Sequence, residues 1–432
     1  MNGERRFCVI GGGRIGLPIA VTLASMGETV KILDLDSEKC QIINNSETPF
    51  FEEGMAEELE NAVSEGLLEA TNDSSVLSDC NVIISAIGTG VSDDGSPEVS
   101  GMDDLVSTVS RGMKIGDLFL LKTTLPIGTT EIIARKISEN TGLSLDEEIL
   151  VAFCPERIVE GRAMEELRSL PKIVGGVGPN STKMAKEVMS IFGGEVIEVS
   201  NSRTAEMCKL IDNSYRMTRF GFSADVAAVS WRNDVDAYEA IRAANNGYSR
   251  NDVPLPAIGV SGYCLTKDPY YLDHGASELW TDRGFPSTWI AARKAADFQV
   301  EEAIARIGDH FENDSVPLRV VIAGVTYKEN VDDIRLSHGR ELAEKCLERG
   351  WEVIFWDPVT SQTEIDGIPV HDSHECINGK DCLVFTVPHQ KFKQWTIDFE
   401  GLSEMEGGLI FDGWGIIRGN IPGFTVIGTG KS

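Results

Sequence analysis

The sequence predicts an α/β protein: an N-terminal doubly wound parallel sheet, a central helical region and a second α/β layer at the C-terminus. Three observations predict it. Short apolar runs alternate with amphipathic stretches in ~30-residue units as far as about residue 200. Helical periodicity without strands then dominates to about residue 245. Strand-like runs resume after residue 317. Parallel neighbours need a crossover connection, and a helix packed on the sheet is the compact way to make one.

Residues 6–10 (Arg-Phe-Cys-Val-Ile) read as the first strand, followed by a glycine loop from Gly11 to Gly16 and a helix over about 17–26. Gly27 stops that helix, because glycine adopts the left-handed C-terminal turn without steric cost. Thr29 to Leu33 form the second strand and close on Asp34. Further strands are expected at 81–87, 117–122, 149–153 and 173–176. Residues 202–305 read as helical, and 312–317 as a polar linker. Beyond it come an apolar run at 318–323, a helix at 338–349 and strands at 352–356, 382–386 and 409–412. The expected domains are therefore 1–200, 201–311 and 312–432.

Composition excludes several classes. The 432 residues are 42% hydrophobic and 25% charged, a globular rather than a disordered mix. No run approaches the ~18–20 apolar residues of a membrane span. Arg5 and Arg6 lead straight into a strand, so a cleaved signal peptide is not expected. A net charge of −29 repels nucleic acid. Nine scattered cysteines, with no CxxC and no Cys/His cluster, argue against zinc or any other bound metal and for reduced thiols in the cytoplasm. Most of them, Cys8 and Cys346 for example, sit in apolar patterns and read as core.

Three motifs carry chemistry. Gly11-Gly12-Gly13-Arg14-Ile15-Gly16 satisfies GxGxxG between a strand and a helix. Such a Rossmann-like turn brings backbone amides and a helix N-terminus against a pyrophosphate. Asp34, ending the next strand, suits a ribose diol and repels a 2′-phosphate, which favours NAD over NADP. The second motif is Gly262-Tyr263-Cys264-Leu265-Thr266-Lys267-Asp268-Pro269. Its cysteine reads either as structural or as a nucleophile, since Lys267 would favour the thiolate and Asp268 would oppose it. The third is Glu206, Lys209 and Asn213, three groups at helical spacing; taken alone they read as a solvated helix face.

These motifs occur in one order with Lys122-Thr-Thr124-Leu-Pro126, Cys154-Pro-Glu156-Arg157 and Gly324-Val-Thr-Tyr327-Lys328 through Arg335-Leu-Ser337. Together they resemble the nucleotide-sugar 6-dehydrogenases, the UDP-glucose/GDP-mannose dehydrogenase family, over nearly the whole chain. Arg157 and the loop Asn246–Arg250 resemble the UDP-N-acetylhexosamine branch, UDP-N-acetylmannosamine dehydrogenases in particular. The resemblance implies oxidation of a sugar C6 alcohol to a carboxylate with two NAD. It implies Cys264 as the nucleophile that forms a thiohemiacetal and then a thioester. It implies Lys209 and Asp268 holding the base or its water, Lys209 and Asn213 stabilising the oxyanion, and Glu156 as the hydrolytic base. It further implies cofactor contacts at Gly11, Gly13, Arg14, Ile15, Gly16, Asp34, Thr89, Thr124 and Arg335, with Thr124 also holding the catalytic water. Substrate contacts are implied at Glu156, Arg157, Ile158, Val159, Glu160, Lys209, Asn213, Gly262, Tyr327 and Lys328, and at Arg250 reaching into a neighbouring subunit of a homodimer or larger assembly. The sequence departs from the family pattern at Ser261-Gly262-Tyr263, Thr266, Ala224-Asp225, Ile87-Gly88-Thr89-Gly90 and Asp412-Gly413-Trp414, each of which bears on the sugar rather than on the chemistry.

Overall fold

The computed structural model describes residues 5–92, 94–311, 317–405 and 408–431. The expected linker at 312–317 lies outside these residues except for Pro317. In the N-terminal part the strands are β1 (Arg6–Ile10), β2 (Thr29–Leu33), β3 (Leu68–Thr71), β4 (Val82–Ser85), β5 (Gly90–Val91), β6 (Pro97–Glu98), β7 (Leu118–Leu121), β8 (Leu150–Phe153), β9 (Lys172–Gly176) and β10 (Val196–Glu198). Eight of them form a sheet in the order β3-β2-β1-β4-β7-β8-β9-β10, while β5 and β6 make a separate antiparallel hairpin. The sheet is parallel from β3 to β8, but β9 runs antiparallel to β8, a reversal that an apolar run alone does not reveal. All four residues of β4, β7 and β8 are buried. They therefore need helices on both faces, and alternate residues of one strand feed two cores. Phe7, Val9, Leu118 and Leu120 enter one, and Cys8, Ile10, Phe119 and Leu121 enter the other. Each large side chain so buried contributes roughly 1.5–3 kcal/mol.

The C-terminal strands are β11 (Arg319–Ala323), β12 (Glu352–Trp356), β13 (Glu364–Ile365), β14 (Ile368–His371), β15 (Cys382–Phe385), β16 (Leu409–Asp412) and β17 (Thr425–Gly428). Their order is β13-β14-β12-β11-β15-β16-β17, parallel throughout except between β13 and β14. In both sheets the first strand lies at the centre and the order reverses beside it, which is the doubly wound arrangement. In chain order, the strands of the first sheet are followed by the helices Ser202–Arg232, Ala237–Asn245, Tyr263–His274, Ser277–Arg283 and Thr288–His310. Among the described residues no helix is long and apolar enough to cross a membrane.

Two compact units divide the chain. One comprises Met1–Asp212 and Tyr270–Ser277; the other comprises Asn213–Pro269 and Glu278–Ser432. The division falls within the helix Ser202–Arg232 and at Pro269 of the cysteine-bearing helix.

Candidate active site

In the first unit the turn after β1 is shaped by glycine. Gly11 has φ +97°, and a Cβ on Gly16 would overlap the Gly11 carbonyl oxygen. A Cβ on Gly13 would meet nothing within 4 Å, so the space over this turn and the start of the helix Gly16–Ser25 is open to a ligand. Asp34 accepts hydrogen bonds from Gly12 N at 2.7 Å and Asp36 N at 2.9 Å, and from Lys39 Nζ at 3.0 Å. Burial opposes its charge, but the two amides and Lys39 outweigh burial and hold the carboxyl below its ordinary range. An open glycine turn with an ionised carboxylate at the neighbouring strand end fits a dinucleotide with a free ribose diol. Of the flanking residues, Arg14 sits over the Phe50 ring at 5.0 Å and 3.8 Å from Glu160, and Ile15 packs on the core. Buried Thr89 donates to the Thr124 carbonyl at 2.9 Å. Lys39 was not singled out from the sequence; its only signal is its place on the first turn of the helix after Asp34.

At the carboxyl ends of β7 and β8 the same unit holds Glu156. Its Oε1 accepts from Arg157 N at 2.7 Å and Ile158 N at 3.1 Å, and Oε2 lies 3.0 Å from Lys122 Nζ. Lys209 Nζ donates to the Glu156 carbonyl at 2.7 Å. Burial pushes the Glu156 carboxyl up, and Lys122 together with the Ile158 and Arg157 amides more than reverses this, so the net direction is down. Arg157 Nε pairs with Asp212 at 3.0 Å, Val159 N donates to Glu166 at 2.8 Å, and Ile158 and Glu160 are half-buried beside them.

The second unit holds the remaining groups. Cys264 is exposed as the second residue of the helix Tyr263–His274, where the helix dipole favours negative charge. One turn on, fully buried Asp268 lies between two donors: Lys267 Nζ at 2.8 Å on Oδ1 and Asn213 Nδ2 at 2.5 Å on Oδ2. Gly262 has φ +94°, and a Cβ there would come within 2.7 Å of the Tyr327 ring. The loop after β11 thus packs Tyr327 onto the backbone two residues before Cys264. Arg335 lies 6.0 Å and Lys267 Nζ 5.6 Å from the Tyr263 ring centroid. Lys328 is half-buried in the same loop, where its carbonyl accepts from Thr326 Oγ1 at 3.0 Å. Arg250 stacks on Tyr248 at 4.6 Å within its own exposed loop.

The solvated-face reading of Glu206, Lys209 and Asn213 does not hold. Glu206 is fully buried and accepts from Gly128 N and Thr130 N, capping the helix Thr129–Thr141, while Asn213 is 3% exposed and turned to Asp268. Spacing reported one face of a helix; what lies against that face is long-range information. Several of the departures also find structural uses. Ser261 Oγ accepts from His338 N at 3.0 Å, Thr266 Oγ1 donates to the Gly262 carbonyl at 2.9 Å, and Trp414 Nε1 donates to the Thr386 carbonyl at 2.8 Å.

Residues 5–193 match the NAD binding domain of the UDP-glucose/GDP-mannose dehydrogenase family, 203–295 its central domain and 321–419 its UDP binding domain. The UDP-N-acetyl-D-mannosamine dehydrogenase of Pyrococcus horikoshii is 32% identical over 431 residues, covering 99% of each chain. The chain belongs to the UDP-glucose/GDP-mannose dehydrogenase family. It is an NAD-dependent nucleotide-sugar dehydrogenase. Among solved structures, this dehydrogenase is similar to a UDP-D-ManNAc dehydrogenase from Pyrococcus horikoshii, with a TM-score of 0.91 and 31% identity over 98% of this chain and 99% of that one. It is also similar to an NDP-N-acetyl-D-galactosaminuronic acid dehydrogenase from Methanosarcina mazei Go1, with a TM-score of 0.82 and 27% identity over 100% and 96% of the two chains.

Proposed function

We propose that this dehydrogenase oxidises the C6 hydroxyl of a UDP-linked N-acetylhexosamine, with N-acetylmannosamine preferred, to the uronic acid. The observation that carries the chemistry is the exposed Cys264 at a helix N-terminus, one turn before a buried Asp268 held by Lys267 and Asn213. The sugar assignment is supported by Arg157, by the Asn246–Arg250 loop and by Trp414 in place of the arginine expected of glucose enzymes.

The glycine turn and Asp34 would hold NAD, which supplies the hydride acceptor when bound. The chain's own residues do the rest. Asp268 and Lys209 orient a water that takes the C6 hydroxyl proton as the first hydride leaves. The Cys264 thiolate then adds to the aldehyde carbon, giving a tetrahedral adduct whose oxygen Lys209 and Asn213 stabilise; removing one such donor typically costs about 10²–10³ in kcat. Loss of the second hydride leaves a thioester. Water activated by Glu156 displaces the thiolate and yields the carboxylate. Thr124 would hold that water, and Lys328, Arg335 and Tyr327 belong to the loop that would close on substrate. The assembly would be a homodimer or larger, with Arg250 contributed to a neighbouring subunit. Tyr215, Phe222 and Val229 support this, since they stand exposed at seven-residue spacing along one helix.

NADH release against a panel of UDP-, GDP- and dTDP-sugars tests the substrate. Activity on UDP-N-acetylmannosamine is expected, and high activity on UDP-glucose with none on acetamido sugars would overturn the branch. Cys264→Ser should stall after the first oxidation, releasing at most one equivalent of NADH in a single turnover and forming no uronate. Uronate formation by Cys264→Ala at near the unmodified rate would sink the thiohemiacetal route.

A further inference from the structure

We propose that Lys122 is a positioning residue for this reaction, aiming the Glu156 carboxylate at its hydrolytic task through a buried ion pair from behind. The proposal rests on the assignment of Glu156 to thioester hydrolysis made above. Lys122 directly follows β7, whose residues are all apolar and buried, and its side chain is 2% exposed. An ammonium in such a place is unfavourable unless paired and hydrogen-bonded. The backbone puts it there: Lys122 N donates to the Ser85 carbonyl at 3.0 Å, and in the next strand over Cys154 N donates to the Leu121 carbonyl at 2.9 Å. Lys122 and Cys154 are thus neighbours at the carboxyl edge of the sheet, and Glu156 follows two residues later.

The ring of groups around Glu156 divides the work. Two amides hold Oε1, and Lys122 Nζ faces Oε2 at 3.0 Å. Lys122 thus supplies the counter-charge at Oε2. Rotating the carboxylate would forfeit both amides and the ion pair together. The other cations nearby are committed elsewhere. Lys172 Nζ donates to the Gly193 carbonyl at 2.8 Å, Arg157 pairs with Asp212, and Lys209 holds the Glu156 main chain. Cys154 lies 3.6 Å from Lys122 Nζ. Lys122 Nζ donates to that sulfur, and burial pushes the Cys154 thiol up against the pull of Lys122. Burial works against the charge of Lys122 too, but the Cys154 sulfur and the Glu156 carboxylate outweigh it and hold it above its ordinary range. Without Lys122, Glu156 would keep its burial and lose its counter-charge, and its proton affinity would rise.

The test compares Lys122→Met, Lys122→Arg and Glu156→Gln in the full chain, following thioester decay by acid quench and mass spectrometry from about pH 3.5 to 8. With Lys122→Met the acid limb should move up by about one pH unit, so that the thioester accumulates at the acid end of the range and clears as pH rises, a tenfold loss on its acid side. Lys122→Arg should keep the limb near its original midpoint, and Glu156→Gln should abolish it. NAD affinity should change less than about twofold throughout, because the glycine turn is untouched. A uniform slowing by Lys122→Met with an unmoved midpoint would make Lys122 merely structural and overturn the inference alone. Unchanged decay in Glu156→Gln would instead overturn the assignment of Glu156, and this inference with it. If Lys122→Met fails to fold, Lys122→Met/Glu156→Gln decides. Removing the stranded anion should raise the melting temperature above that of the single variant, and no recovery would refute the coupling.

Discussion

The first turns of the two sheets are built alike and used differently. After β1, Gly11 N donates to the Leu33 carbonyl at 2.9 Å; after β11, Gly324 N donates to the Trp356 carbonyl at 2.9 Å. Both glycines have positive φ, +97° and +108°. The next amide in each case, Gly12 N or Val325 N, donates at 2.7 Å to the carboxylate just past the second strand, Asp34 or Asp357. A Cβ on the glycine opening the following helix, Gly16 or Gly339, would overlap the first glycine's carbonyl oxygen. The difference lies in between: Gly11 and Gly16 are five positions apart, Gly324 and Gly339 fifteen. The short turn leaves open space above Gly13. The long one carries Tyr327, Lys328 and Arg335, and packs Tyr327 onto Gly262. The two acids differ correspondingly. Asp34 keeps an accessible edge with Lys39, whereas Asp357 is fully buried and also faces Val359 N at 2.9 Å and His389 Nε2 at 3.3 Å. One geometry thus leaves open space when short and founds a longer, packed loop when long.

The largest effect should come from the two close-packed glycines. Gly16→Ala and Gly339→Ala should each destabilise the protein by about 3 kcal/mol or more in chemical denaturation, since backbone would have to move. A benign outcome in only one of them would break the equivalence. Next comes Asp357→Asn. Its oxygens accept from amides on both sides, so an NH₂ group would face a donor, at a cost of about 1–3 kcal/mol. Burial opposes the Asp357 charge, yet His389 and the amides hold the carboxyl below its ordinary range. A depressed folded-state pKa contributes stability that is present above about pH 4 and is lost as pH falls through the lower folded value. Asp357→Asn should therefore flatten the loss of stability measured between pH 4 and 2, and leave the choice between NAD and NADP unaltered.

Asp34→Asn should do the reverse: a small change in stability and about a tenfold fall in the NAD/NADP ratio of kcat/KM, roughly 1.4 kcal/mol. Equal use of NAD and NADP by the unmodified enzyme would remove Asp34 from cofactor choice altogether. The smallest effect on stability is expected for Gly13→Ala, within about 0.4–1 kcal/mol, because nothing lies within 4 Å of the new methyl group. Its cost should appear in NAD affinity, measured by fluorescence titration, and unchanged affinity would mean that the open space is not the cradle.

Of these two turns, the first was legible in the sequence and the second was not. Five-position spacing of glycines between a strand and a helix is a local signal. Stretching the same turn to fifteen positions erases the pattern while the hydrogen bonds persist. The strands at 352–356 and 409–412 were readable from continuous apolar runs, and the helix stop at Gly27 from glycine chemistry; Gly27 has φ +86°. The strand β3 was missed because Leu-Glu-Ala-Thr alternates weakly and is short. Among site residues, Cys264, Asp268, Lys209 and Asn213 stood out through motif and resemblance. Lys122 was quoted only as part of a motif, since a lysine after an apolar run reads equally well as the solvated end of a strand.

By itself, the sequence determined the fold class, the glycine turn with its acid at Asp34, and the order of motifs that marks the family. All of these are written in neighbouring residues at fixed spacing, where backbone sterics and strand or helix periodicity act directly. Only the tertiary structure decided what the polar groups do once buried. Glu206 caps a helix whose accepted amide at Thr130 is 76 residues away, Asn213 meets Asp268 across 55 residues, and Lys122 lies behind Glu156. A buried charge must find a partner wherever the fold places one, so its role follows from which strand ends and helices meet around it rather than from its neighbours in the chain.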